Sequence, residues 1–94
     1  MKVVQSRLAR RHARVAALAY ADRAPETVEG FRTRVAAALE GLSDFPELGT
    51  RVGRTEYRRI ALDPYPYSLV YQIQRQTIRV LAVPHNKQSA ETWF

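Results

Sequence analysis

Near the C-terminal end of the chain stands His85, with Lys87 two residues on and Trp93 close to the terminus. Imidazole is the one side chain whose ordinary pKa suits proton transfer near neutrality, so His85 is a candidate general acid or base. Lys87 would add positive charge beside it, and Trp93 could stack on a base or anchor the tail. A second group of candidates lies upstream. Arg58 and Arg59 follow each other in "YRRIALDP", after Arg51 and Arg54 in "TRVGRTE". A guanidinium fork matches phosphate oxygens, so an arginine here suits an anionic substrate. Each candidate also has a plainer reading. A histidine at a strand end is more often structural, a tail tryptophan usually packs on the core, and a strand arginine can pair with a carboxylate such as Asp63.

Other chemistries are excluded by what the sequence lacks. There is no cysteine, so disulfides and thiolate metal sites are ruled out and a reducing compartment fits. His12 and His85 are the two histidines and stand far apart in sequence, which argues against a transition-metal site. No Walker loop, GxGxxG or HExxH pattern is present. No apolar run approaches the length of a membrane span, and "MKVVQSRLARR" lacks the apolar stretch of a secretory signal. The expectation is a cytoplasmic protein with no membrane partner.

The candidates must be positioned by one small domain, residues 1–94, because 94 residues cannot bury two cores. With 46% hydrophobic residues, the chain can pack one. "MKVVQ" predicts a short strand, with Ser6 as a helix N-cap. A first helix is expected from about Arg7 to Asp22, with Leu8, Val15 and Ala19 on one face. Arg7, Arg10, Arg11 and Arg14 line another face. Pro25 opens a second helix that reaches about Leu42. Its stripe Val28, Phe31, Val35, Ala38, Leu39 and Leu42 has the spacing of a single buried face. The short link makes the two helices an antiparallel hairpin. "SDFPELG" ends the helix, with Phe45 and Leu48 expected to fold back on the core, and "TRVGRTE" reads as a basic loop. Three strands follow: Tyr57 to Leu62, Ser68 to Gln74 and Thr77 to Val83. Arg75-Gln76 leaves a two-residue hairpin link without the Asn-Gly signal of the best turns. The sum is an α+β domain in which a helical hairpin covers one face of a small antiparallel sheet.

The net charge of +6 is concentrated, because acids cluster from Glu26 to Glu47 while arginines crowd the first helix and the segment from Arg51 to Arg59. Such local excess points to an anionic partner, either nucleic acid or an acidic protein.

The ordered set of segments resembles the RelE/ParE superfamily of type II toxin–antitoxin toxins. The opening strand and helical hairpin closed by "FPELG", the "YRRIALDPYPYSLVYQI" strand pair and "IRVLAVPHNK…W" together span nearly the whole chain. The resemblance implies one of two activities, neither needing a cofactor. RelE-like members cut mRNA on the translating ribosome, without metal; ParE-like members bind DNA gyrase and poison it. Either kind is held inactive by a cognate antitoxin whose C-terminal segment wraps the toxin. For the nuclease, His85 would transfer protons, Arg58 with Arg51, Arg54 or Arg59 would hold the phosphate, and Lys87 would add charge. For the antitoxin, Arg7, Arg10, Arg11 and Arg14 would form a docking stripe. The tail departs from the nuclease pattern. After His85, Lys87 alone keeps the basic character, Gln88 and Ser89 do not, and Thr92 stands where a tyrosine is common. The sequence therefore favours the gyrase-directed mode, with the nuclease second and a non-toxic basic nucleic-acid-binding module third.

Overall fold

The computed structural model describes residues 1–87. In chain order the elements are β1 (Lys2–Gln5), α1 (Arg7–Arg23), a 3-10 turn (Pro25–Thr27) and α2 (Val28–Asp44). Then come β2 (Thr50–Arg51), β3 (Tyr57–Ala61), β4 (Ser68–Gln74) and β5 (Thr77–Ala82). The strands form one sheet in the order β1-β5-β4-β3-β2, with the helical hairpin on one face. Trp93, Gln88, Ser89 and Thr92 lie outside the described residues.

The α+β architecture is as the sequence predicts, with two additions. β2 arises inside the expected loop, where Thr50 and Arg51 pair with Arg59 and Arg58. β1 runs parallel to β5, whereas every other pairing is antiparallel. The parallel entry brings Ser6 to the end of β5. There its N–H donates to the Val80 carbonyl at 2.9 Å, and its hydroxyl donates to the Leu81 carbonyl at 2.8 Å. The same oxygen accepts from the Ala9 N–H at 3.0 Å, so one N-cap fixes both the start of α1 and its seat on the sheet.

Helix α2 buries Phe31, Ala38 and Leu42, with Val35 and Leu39 half-buried against Leu62, Leu69, Tyr71, Ile78 and Val80 of the sheet layer. That is the face its spacing predicts. Helix α1 is different. Its buried residues are Ala9, Ala16 and Ala17, while Leu8, Val15 and Leu18 are 38%, 56% and 62% exposed. The expected Leu8–Val15–Ala19 face is therefore turned to solvent. Alanines let α1 approach the sheet closely, and the space beside them is filled by Tyr20, Phe31, Tyr65 and Tyr67, whose rings meet edge-on or tilted. Phe45 and Leu48 also stay exposed rather than folding onto the core. The loop they belong to is held by backbone bonds to Tyr71, not by apolar burial.

A register shift lies between β4 and β5: Tyr71 pairs with Val80, but Val70 pairs with Ala82, leaving Leu81 as the extra residue. Such a bulge re-aims the strand beyond it. Val83 consequently joins the core cluster, and the following segment turns toward α1.

Candidate functional site

His85 sits where the chain leaves the sheet. It forms an isolated antiparallel bridge with Tyr67, whose ring it meets near-perpendicularly at 5.1 Å. Its segment is pinned on both sides. The Ser68 N–H donates to the Pro84 carbonyl at 3.0 Å, and the Asn86 N–H donates to the Pro66 carbonyl at 2.8 Å. The His85 Nδ1 accepts the Lys87 N–H at 3.1 Å. The Nδ1 lone pair is thereby taken up by a backbone donor.

The fold brings a second imidazole to the same place. His12 of α1 accepts the Val83 N–H on its Nδ1 at 3.1 Å. Burial lowers its pKa from the ordinary value, and the Arg11 guanidinium lowers it further. Arg11, His12, Val15, Tyr67, Val83, His85 and Lys87 line a cavity of about 410 Å³. Sequence spacing gave no hint of His12, because the contact is made across the whole chain.

The arginine candidates lie elsewhere. Arg58 and Arg59 face opposite sides of the sheet, as consecutive strand residues must. Arg59 pairs with Val70, and its Nε donates to the Ser68 hydroxyl at 3.0 Å. Ser68 in turn donates to Asn86 Oδ1 at 2.5 Å. Arg59 therefore braces the His85 segment from the sheet's far face. Arg58 pairs with the core residue Tyr71, and its Nη1 donates to the carbonyls of Gly49 at 2.7 Å and Glu47 at 3.4 Å. Arg51 stands opposite Arg58 on β2, and Arg54 is exposed in the turn that follows. Neither Arg58 nor Arg59 takes Asp63 as partner; the Asp63 carbonyl accepts from Arg34.

A nuclease would need His85 and Arg58 at one cleft; the cavity that His85 and Lys87 line does not include Arg58. The pairing partners of His85 and Arg58, Tyr67 just before β4 and Tyr71 within it, are separated by roughly 13 Å at about 3.3 Å per residue. With two strand spacings of about 4.8 Å, the Arg58 and His85 backbones lie on the order of 16 Å apart. Arg58 also points toward the loop after α2. Lys87 stays with His85, while Arg51 and Arg54 stay with Arg58.

A family model, described as the ParE toxin of the type II toxin–antitoxin system parDE, matches residues 3–90. The chain belongs to the ParE toxin family. Among curated proteins no sequence matches it. Solved structures share its fold. A chain of the chromosomal ParDE toxin–antitoxin system from P. aeruginosa superposes with a TM-score of 0.81 at 16% identity, covering 90% of this chain and 95% of that one. The YoeB dimer structure from Staphylococcus aureus gives 0.58 at 12% identity, over 90% and 95% of the two chains. A YoeB/ParE toxin from Agrobacterium tumefaciens gives 0.58 at 12% identity, over 90% and 98%.

As a type II toxin, the protein has a cognate antitoxin. The outer face of α1 gathers the features such a partner could use. Arg7, Arg10, Arg11 and Arg14 are all exposed, beside the exposed Leu8, Val15 and Leu18. Leu8 and Val15 share a face in the sequence, as expected with Ala19, and Leu18 joins them at the surface. A second exposed apolar patch lies at the end of α2. There Met1, Phe45, Leu48 and Ile73 surround a cavity of about 620 Å³ beside Asp44 and Glu47. Among the described residues, no cluster of His, Cys, Asp or Glu could hold a metal, and no helix is long and apolar enough to cross a membrane.

Proposed function

We propose that this toxin acts in the cytoplasm by binding DNA gyrase, in the manner its family resemblance implies, and not by cutting mRNA on the ribosome. The observation that carries the reading is that Arg58 is tied to the loop after α2 and is not among the residues lining the His85 cavity. Metal-free cleavage by 2′-hydroxyl attack needs a base and a cation at one phosphate. Here the Arg58 guanidinium is engaged by the Gly49 and Glu47 carbonyls, and Arg58 does not line the cavity that holds His85 and Lys87. His85 adds a second objection, since its Nδ1 already accepts the Lys87 N–H. The antitoxin, on this reading, lays an acidic and apolar segment along α1.

Two assays on the purified toxin decide between the modes. Gyrase supercoiling should be inhibited, and mRNA on translating ribosomes should stay intact. His85→Ala should leave supercoiling inhibition unchanged. Cleavage of ribosome-bound mRNA that disappears in His85→Ala would establish the nuclease instead. Expression of the toxin without its antitoxin should arrest growth; a harmless chain would count for the non-toxic basic module. For the antitoxin, reversing Arg10 and Arg11 to glutamate should slow association and flatten its salt dependence, since surface charge acts mainly on encounter. An unchanged association rate would move the docking surface off α1.

A further inference from the structure

We infer that the cavity between α1 and the segment after β5 is a carboxylate socket. Arg11, His12 and Lys87 receive an acidic side chain of the antitoxin, and its apolar stem lies on Val15 and Val83. The inference rests on the reading that the antitoxin docks along α1.

The cavity is built for an anion. Among the described residues no carboxylate lines it, while Arg11 and Lys87 bring two full positive charges. The His12 Nδ1 is occupied by the Val83 N–H, so its Nε2–H is left as a donor. A charge-assisted bond from these donors to a carboxylate is stronger than one between neutral groups.

Its walls select the kind of anion. Val15, Ala16 and Val83 are apolar, and Val15 continues onto the exposed Leu8 and Leu18. Charge alone does not choose the partner, because the exposed Arg7, Arg10 and Arg14 on the same helix could track a polynucleotide as well as an acidic polypeptide. The apolar stripe chooses, since a phosphate backbone offers nothing to cover Leu8, Val15 and Leu18. An amphipathic polypeptide satisfies both surfaces, with leucine-like side chains on the stripe and one glutamate or aspartate in the socket.

The test is an NMR titration of the purified toxin with N-acetyl-glutamate amide, following the ring signals of His12 and His85. Saturable shifts are expected, with a dissociation constant around the millimolar range typical of one small anchor. Arg11→Glu and His12→Leu should each weaken binding about 10- to 100-fold, the worth of one hydrogen bond to a charged group. His12→Gln, which keeps an N–H donor, should stay close to wild type. Arg11 is exposed, so its variant remains informative even where His12→Leu unfolds. Leu18→Asp separates the two ideas. It should weaken antitoxin docking on α1 yet leave glutamate amide binding unchanged. If the glutamate probe produces no saturable shift, the socket is wrong whatever α1 does. If a ribodinucleotide binds more tightly and moves the same ring signals, the cavity takes RNA phosphate and the carboxylate assignment falls.

Discussion

Tyr71→Phe removes one oxygen and should cost far more than its size suggests. Tyr71 is 0% exposed, and its hydroxyl holds the loop after α2 in two directions. It donates to the Pro46 carbonyl at 2.8 Å and accepts the Gly49 N–H at 2.9 Å. Burial raises the pKa of this phenol, so it stays a neutral donor across the working range. In Tyr71→Phe the buried Gly49 N–H has no partner. A stranded donor costs about 1–3 kcal/mol, and the second lost bond adds about 0.5–1.5 kcal/mol. The expected loss is roughly 2–4 kcal/mol, a large share of the stability of any domain this small. Urea unfolding should show a lower midpoint at unchanged slope. The melting temperature should fall by about 10–25 °C, taking ~4–8 °C per kcal/mol. Tyr67→Phe, on the same side of the sheet but outside this loop, is the comparison and should stay within about 0.5 kcal/mol, as surface hydroxyls do. A Tyr71→Phe loss under about 0.5 kcal/mol would refute the reasoning, because it would mean that the Gly49 amide is satisfied without the hydroxyl.

Gly49→Ala should destabilise the same loop by about 1–3 kcal/mol in urea unfolding, as overpacking does; the added carbon would stand 2.9 Å from the Arg59 carbonyl oxygen and from the Tyr71 ring. Arg75→Asn should stabilise the β4–β5 hairpin by a few tenths to about 1 kcal/mol, because Arg75 holds a φ of 56° that asparagine adopts more readily. Stability should fall as the pH drops below about 6.5. The folded His12 pKa lies under that unfolded value, so the unfolded chain takes up the proton first. Burial is the larger cause and the Arg11 guanidinium beside it on α1 the second, while Lys87 and His85 line the same cavity from beyond β5. The contribution of one proton stays below about 1.4 kcal/mol per pH unit. Chemical unfolding of wild type and His12→Gln between pH 5 and 7, values bracketing the ~6.5 reference, should show a shallower slope in the variant.

The fold was largely legible because its strongest signals are local. The α2 stripe, the Ser6 cap and the β4–β5 hairpin each need only neighbouring residues to specify them. The failures share a physical cause. On α1 two apolar stripes compete, one of Leu8, Val15 and Leu18 and one of Ala9, Ala16 and Ala17, and size alone favours the wrong one. The alanines win because close approach to the sheet, with Tyr20, Phe31 and Tyr67 filling the remaining space, buries more than the larger side chains could. Phe45 and Leu48 mislead similarly: their loop is fixed by Tyr71 and Arg58 hydrogen bonds, so burial of its apolar residues is not required. The pairing of His12 with the His85 segment depends on the Leu81 bulge and the parallel entry of β1, which no spacing rule anticipates.

These misreadings bear directly on the site. Apolar residues that the core does not use are kept on the surface at a cost in solubility, so a partner surface is the economical explanation for Leu8, Val15 and Leu18. They adjoin the donors of Arg11, His12 and Lys87, whereas Arg51, Arg54 and Arg58 gather at the opposite end of β4. These two groups of basic residues thus have different surroundings. One is apolar and set beside a helix, suited to a folded acidic segment. In the other, Arg58 serves the loop after α2, Arg51 lies on the exposed two-residue edge strand β2 and Arg54 on an open turn. An antitoxin segment on α1 covers the first and leaves the second open. Inhibition by the antitoxin would then have to work through the α1 face itself, so Leu18→Asp should impair target inhibition as well as antitoxin docking if the two partners compete for that face.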